Sequence, residues 1–95
     1  MNDKTYLNTI FTTRNRNMKI FVAGLPLDMD ESELEEFFEK YGKVDTVSIA
    51  KDRITKRRKG FGFVEMSNSL QAKTAIQTLN GLGIGRNKLI VKEAV

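Results

Sequence analysis

The chain has 95 residues, with 16 Lys and Arg against 12 Asp and Glu and a net charge of +4 at pH 7. This length fits one small domain with a single core. The absence of cysteine and histidine excludes disulfides and thiolate metal sites and removes the commonest general base. Because no run approaches the ~18 apolar residues of a membrane span, and the start has no apolar signal-peptide core, we expect neither segment.

The charges are separated along the chain. Seven of the twelve acids lie within the twelve residues 28–39, and six bases lie within the nine residues 51–59. A protein polarised in this way repels a polyanion with one surface and attracts it with another. Each run alone is also compatible with an ordinary solvated face.

The first predicted region is a leader over residues 1–17. Its β-branched and Asn-rich composition disfavours a stable helix, so we predict disorder there, with a short amphipathic turn as the alternative. Met18 stands directly before the first predicted strand and is a candidate native start. The folded domain is therefore predicted over residues 18–95.

The first strand and helix follow. Strand Lys19–Ala23 ends at a Gly-Leu-Pro sequence. Asp30 is predicted to begin a helix, with Glu33 as its reciprocal partner in a capping box. The apolar stripe of this helix consists of Leu34, Phe37, Phe38 and Tyr41. Gly42 is predicted to end the helix in a left-handed conformation, and the acidic run becomes its solvated outer face.

The second half repeats a similar order. A strand over Val44–Lys51 precedes a polar loop, 52–58, and a third strand, Gly60–Met66. A second helix is predicted to begin at Ser67 or Asn68. Its buried stripe consists of Ala72, Ala75, Ile76 and Leu79. A glycine-rich connection, in which Ile84 contacts the core edge, precedes a last strand over 88–93.

This order predicts an α+β, ferredoxin-like βαββαβ fold, in which four antiparallel strands form one sheet and both helices cover one face. The period-two alternation of strands then assigns the core-facing side chains, which are Ile20, Val22, Val47, Ile49, Gly62, Val64, Met66, Leu89 and Val91. The open face carries Phe21, Phe61 and Phe63. Apolar rings beside charged side chains indicate either a covered surface or a binding surface.

Two short motifs resemble a known family. Residues 59–66, Lys-Gly-Phe-Gly-Phe-Val-Glu-Met, match seven of the eight positions of the signature octamer of the RNA recognition motif. Residues 20–25 match its hexamer, except that Gly24 replaces Asn and alters a turn. Met66 replaces an aromatic residue but faces inward, so this departure concerns packing. The resemblance covers residues 18–94 and is greatest to short bacterial or organellar members with a single such domain.

The resemblance implies that the chain binds single-stranded RNA on the open sheet face. By position in the motifs, Phe21 and Phe61 would each stack a base, Phe63 would pack against a sugar or between nucleotides, and Lys59 would meet a phosphate. The alternation pattern adds the flanking cations Lys19, Lys88 and Lys92. The loop between the second and third strands would clamp the RNA backbone through Arg53, Lys56, Arg57 and Arg58. Glu65, on the same face, would pair with Lys19 or limit where phosphate can lie.

Other interpretations stay open at this point. Because stacking does not sense the 2′-hydroxyl, single-stranded DNA is an alternative ligand. The leader or a partner subunit is an alternative cover for the three rings. Some members of this fold bind peptides through an acidic first helix and an Arg-x-Phe loop. Here the corresponding loop, Arg86-Asn87-Lys88, lacks the phenylalanine, and the aromatic face is intact.

Catalysis, a cofactor, a metal site and a small-molecule substrate are not expected. The carboxylates line a solvent-facing helix, where no neighbour would shift their pKa values usefully. Among partners we expect nucleic acid and no membrane. We expect a cytoplasmic monomer, with an organelle or the nucleus as alternative locations.

Overall fold

A four-stranded antiparallel sheet forms the centre of the molecule. The computed structural model describes residues 17–94, so the predicted leader lies outside the described residues apart from Asn17. The sheet consists of β1 (Met18–Ala23), β2 (Val44–Lys51), β3 (Arg58–Met66) and a C-terminal strand, β6 (Ile90–Glu93). Its strand order is β2-β3-β1-β6. The predicted fold class is confirmed, and β1 and β3 are the two central strands.

Two helices cover one face of this sheet. They are α1 (Glu31–Glu39) and α2 (Ser69–Leu79). None of the helices in residues 17–94 is long and apolar enough to cross a membrane. The core contains side chains of both helices and all four strands, namely Met18, Ile20, Val22, Leu25, Met29, Leu34, Phe38, Ile49, Val64, Met66, Ala72, Ala75, Leu79, Leu89 and Val91. Burying each large apolar side chain contributes about 1.5–3 kcal/mol, and the buried side chains of the strands face the helices.

The start of α1 has the capping box that its sequence predicts. The Glu33 backbone N–H donates to Asp30 Oδ1 at 2.9 Å, and the Asp30 N–H donates to Glu33 Oε1 at 3.0 Å. The end of α1 differs from the prediction. Its C-cap is Lys40, and Gly42 does not adopt a positive φ. Instead, the Gln71 side chain of α2 occupies the space beside Gly42 that a Cβ would need, so this glycine is explained by its close contact with Gln71.

The second helix begins shortly after β3, with two residues between them. Asn68 is its N-cap, and Asn68 Oδ1 accepts a hydrogen bond from the Gln71 N–H at 2.9 Å. The sequence predicted this start at either Ser67 or Asn68. At the other end, the side chain of Asn80 accepts a hydrogen bond from the Val91 N–H at 3.0 Å. The end of α2 is thereby tied to β6.

A small hairpin interrupts the predicted last strand. Strands β4 (Gly83–Ile84) and β5 (Asn87–Lys88) form a separate two-stranded sheet. The Leu89 N–H donates to the Leu82 carbonyl at 2.9 Å, and the Gly81 N–H donates to the Leu89 carbonyl at 2.8 Å. These bonds turn the chain locally before β6, so the prediction of one strand over residues 88–93 is wrong. Ile84 packs against the core, as predicted.

Candidate nucleic-acid interface

Three phenylalanines form one cluster on the open face of the sheet. We refer to Phe21, Phe61 and Phe63 as the aromatic platform. The Phe21 ring centroid lies 5.7 Å from that of Phe63 and 6.0 Å from that of Phe61. The rings are tilted to one another, at 60° and 37°. All three side chains are partly exposed, so the strand alternation that predicted them on this face is correct.

The register of the central strands determines how the platform is arranged. In the β1–β3 ladder, Phe21 is the partner of Phe63, and Ala23 is the partner of Phe61. Because alternate residues of β3 face the helices, Gly62 and Val64 are buried on the face opposite the rings. Phe61 and Phe63 therefore stand side by side on one strand, and Phe21 lies beside them on the next.

Lysines lie against the aromatic platform. The Lys19 Nζ is 4.7 Å from the Phe63 ring centroid, and the Lys92 Nζ is 5.7 Å from the Phe21 centroid. An ammonium group within ~6 Å of a ring centroid is attracted by the ring. Lys59 is exposed and lies two residues before Phe61 on β3. Lys88 differs, because it belongs to the β4–β5 hairpin and not to the four-stranded sheet.

The open face contains three rows of side chains that run across the strands. The middle row holds Ser48, Phe63, Phe21 and Lys92. One neighbouring row holds Phe61, Ala23 and Ile90, and the other holds Thr46, Glu65 and Lys19. Ile90 is 52% exposed and extends the apolar row toward β6. The alternation pattern predicted that Ile90 faces outward, but it did not predict that Ile90 lies beside the aromatic platform.

Glu65 is the acidic group of these rows. Its Oε1 accepts a hydrogen bond from the Thr46 hydroxyl at 3.1 Å. Lys19 is its partner in the β1–β3 register, but the Lys19 ammonium group lies over the Phe63 ring. The sequence pattern proposed pairing with Lys19 and gave no signal for the contact with Thr46, which depends on the β2–β3 register.

Known proteins share the sequence family and the fold of this chain. The family model of the RNA recognition motif matches residues 20–90. The chain belongs to the RNA recognition motif family. A chloroplastic 29 kDa ribonucleoprotein A from Nicotiana sylvestris is 43% identical over 65 residues, which are 68% of this chain and 24% of that protein. The match therefore spans about a quarter of this relative, and its name does not support the predicted cytoplasmic location.

Two solved structures are similar to this RNA recognition motif domain. A crystal structure of the RNA-binding protein PG1 is 40% identical, with a TM-score of 0.79, and the match covers 82% of this chain and 94% of that one. A structure of an Sxl-lethal protein/RNA complex is 32% identical, with a TM-score of 0.79. That match covers 83% of this chain and 47% of the other.

The departure from the family hexamer at Gly24 has a structural reason. Gly24 adopts a φ of +77°, which residues with a Cβ rarely adopt. A Cβ there would also collide with the backbone carbonyl oxygen of Lys88. The β5 backbone thus passes close to the end of β1, and the family's usual Asn at this position would not fit here.

The loop between β2 and β3 is held by Asp52. Asp52 Oδ1 accepts hydrogen bonds from the backbone N–H groups of Ile54 and Thr55, each at 2.9 Å. Hydrogen bonds from Thr55 and then Ile54 lower the pKa of Asp52, and the charge of Lys59 adds to this. The loop projects Arg53 and Ile54 into solvent, and Ile54 is 87% exposed.

A cleft rich in cations lies beside this loop. We refer to it as the basic cleft, and its lining residues are Leu27, Lys51, Lys56, Arg57 and Arg58. An Arg58 guanidinium nitrogen donates to the Leu27 carbonyl at 3.3 Å. Within the described residues the buried Arg58 Nε has no hydrogen-bond partner. Of the predicted loop cations, the structure therefore brings together Lys56, Arg57 and Arg58 and adds Lys51, whereas Arg53 does not line the cleft.

A separate groove follows the acidic helix α1. It is lined by Met29, Glu33, Glu36, Phe37 and Lys40. Farther along this helix, a hydrogen bond with Glu35 and the charges of Glu35 and Glu36 raise the pKa of Glu39. The groove is on the helical side, so the acidic run and the aromatic platform occupy different surfaces.

Proposed function

We propose that this domain binds single-stranded RNA across the open face of its sheet. Bases stack on Phe21 and Phe61, and Phe63 contacts a sugar or lies between two nucleotides. The observation that carries the proposal is the aromatic platform, in which the Phe61 and Phe63 rings each lie within 6.0 Å of the Phe21 ring on an exposed face. Membership of the RNA recognition motif family and the similarity to the Sxl-lethal protein/RNA complex support it.

Stacking supplies the first part of the affinity. A base stacked on an aromatic side chain contributes about 1–3 kcal/mol by alanine substitution. The ammonium groups of Lys19 and Lys92 lie against the rings in the free protein. A base that stacks on Phe21, or a nucleotide that packs against Phe63, displaces the ammonium group from that ring. The displaced lysine is then free to contact a phosphate of the same strand.

The basic cleft supplies the second part of the affinity. Lys59 and the cleft lie at one end of β3, next to Phe61. Because an extended strand rises ~3.3 Å per residue, Arg58 lies roughly 10 Å along the chain from Phe61. An RNA strand leaving the platform at that end meets Arg58 at the start of β3 and the loop cations Arg53, Lys56 and Arg57. Each phosphate neutralised on a single strand makes the slope of log K against log salt steeper by about 0.7.

The test is the double substitution Phe61→Ala with Phe63→Ala. Binding to a fluorescent pool of random RNA octamers, followed by anisotropy, should weaken at least about tenfold because two stacking surfaces are removed. Circular dichroism should show an unchanged fold, since neither ring belongs to the core. Phe37→Ala is the matched control, because it truncates the same side chain on the helical side and should leave affinity unchanged. Normal binding by the folded double variant would refute the proposal.

A competition experiment distinguishes RNA from DNA as the preferred ligand. The same anisotropy experiment with unlabelled DNA octamers as competitors measures how far the surface depends on the 2′-hydroxyl. The similarity to a chloroplastic ribonucleoprotein supports a post-transcriptional role and makes an organelle a candidate location. Imaging of the tagged full-length protein in its own cells tests that location.

A further inference from the structure

We propose that Glu65 makes the sheet face select guanine over uracil, by accepting hydrogen bonds from the edge of a base held on the aromatic platform. This inference rests on the proposed RNA-binding function. It assigns a specificity-determining residue to a position that the signature octamer leaves open to any amino acid.

The position of Glu65 allows it to reach a stacked base. Glu65 follows Phe63 by two residues on β3, so both side chains leave the same face of the sheet. Phe21 is the cross-strand partner of Phe63 and is therefore a diagonal neighbour of Glu65. Diagonal neighbours on an antiparallel pair lie about 7–8 Å apart. A planar base that rests on either ring can extend its edge toward the carboxylate across this spacing.

The carboxylate is already oriented before a ligand arrives. The Thr46 hydroxyl on β2 donates to Glu65 Oε1 at 3.1 Å, which restricts rotation of the carboxylate. Glu65 is only partly exposed. An ionised carboxylate has about four acceptor positions, and Thr46 uses one of them. The remaining positions, including both on Oε2, are available to donors on a ligand.

The charge of Glu65 determines which part of a nucleotide it accepts. A carboxylate repels phosphate, so on a surface that binds RNA it favours a base edge and disfavours the backbone. The cation nearest in register is Lys19, but its ammonium group is held over the Phe63 ring at 4.7 Å. A Lys19 ammonium group that a ligand displaces from the Phe63 ring contacts a phosphate, so Glu65 keeps its acceptor character on a face otherwise bordered by lysines.

The donor pattern of the bases then sets the order of preference. Guanine presents two adjacent donors, N1–H and the N2 amino group, which match the two oxygens of a carboxylate. Cytosine and adenine each present one amino group. Uracil presents N3–H between two carbonyl oxygens, which a carboxylate repels. A good bidentate pair discriminates by about tenfold or more against the wrong base.

The experiment compares three RNA octamers by anisotropy. They are an all-uridine octamer, the same octamer with one central guanosine, and the same octamer with one central inosine, which lacks the N2 amino group. The wild-type domain should bind the guanosine octamer about tenfold more tightly than the all-uridine octamer, with inosine between them. Glu65→Gln should reduce this ratio to about twofold or less, because one acceptor oxygen becomes a donor group.

Two further variants separate positioning from charge. Thr46→Val removes the orienting hydroxyl without a change in charge, and it should lower the guanosine-to-uridine ratio by less than Glu65→Gln does. Glu39→Gln removes the same charge from the helical side and should leave the ratio at its wild-type value. Equal ratios for the wild type and Glu65→Gln would overturn the inference. Failure of all three octamers to bind the wild-type domain would instead overturn the RNA-binding function itself.

Discussion

Lys51 and Arg58 are directly opposite each other in the ladder between β2 and β3. Like charges in this arrangement destabilise a sheet. Both side chains line the basic cleft, and the buried Arg58 Nε lacks a partner among the described residues. An anionic ligand such as the proposed RNA would remove the repulsion and supply the missing acceptor, so the free protein is expected to bear a cost here that the ligand offsets.

Substitution of Lys51 tests that relationship. Lys51→Ala should leave the thermal midpoint of the free domain equal to or above the wild-type value at low salt, because one of two opposed cations is removed. It should also weaken RNA binding and reduce the slope of log K against log salt by about 0.7. Lys73→Ala, at an exposed position of α2, is the control and should change neither quantity. A lower midpoint with an unchanged slope would show that Lys51 is only structural.

Gly24→Asn restores the residue that is usual in the family hexamer, yet it should destabilise this domain. A φ of +77° costs most residues with a Cβ about 1–2 kcal/mol and Asn less than that, so the collision of the added Cβ with the Lys88 carbonyl is the main cost. Gly81→Asn is a matched control, because Gly81 has a φ of +88° but no described atom within 4 Å of its Cβ position. Urea unfolding should therefore show a larger loss of stability for Gly24→Asn. Equal losses would mean that the β5 contact is unimportant.

Asp52 predicts how the β2–β3 loop responds to acid. The pKa of Asp52 is lower in the folded protein than its ordinary value of 3.8. The stability that its carboxylate gives the loop is therefore complete above pH 3.8 and is lost as the pH falls through the folded pKa. The amide NMR resonances of Ile54 and Thr55 should consequently titrate with a midpoint below 3.8. In Asp52→Asn, which keeps an acceptor oxygen but does not ionise, this titration should disappear. A midpoint at or above the ordinary value would contradict the hydrogen bonds described for the loop.

Glu39 should give α1 the opposite pH dependence, so that stability rises as the pH falls. Its pKa is raised by Glu35 and Glu36, so the folded state binds a proton more readily than the unfolded state near pH 4.5. Stability should therefore gain from this group as pH falls through the raised pKa. Glu39→Gln should raise the thermal midpoint at pH 7 and abolish that acid-dependent gain. A lower midpoint at pH 7 would indicate that Glu39 has a stabilising partner.

Strand alternation and the capping residues carried most of the predictive information in the sequence. The alternation placed Phe21, Phe61 and Phe63 on one face because the side-chain period of a strand is fixed by its backbone. Asp30 and Glu33 predicted the start of α1 because a capping box depends on residues only three apart. Both kinds of signal are local, so neighbouring residues along the chain were sufficient.

The features that the sequence did not predict depend on contacts between distant segments. The hydrogen bond between Thr46 and Glu65 requires the β2–β3 register. The link from Arg58 to Leu27 joins residues 31 positions apart. Similarly, Lys88 was placed on the main sheet because its alternation fits a strand, but the chain forms the β4–β5 hairpin first. Packing of distant elements decides such positions, and composition and spacing contain little information about it.

The central position of β1 and β3 has a thermodynamic consequence for recognition. Each of these strands has hydrogen-bonded neighbours on both sides, so the backbone beneath Phe21, Phe61 and Phe63 is constrained before any ligand arrives. Little conformational entropy of the protein backbone then remains to be lost on association, and the ordering cost falls mainly on the flexible nucleic acid strand. Ligands that are already partly stacked in solution should accordingly bind with a smaller entropic penalty than fully flexible ones.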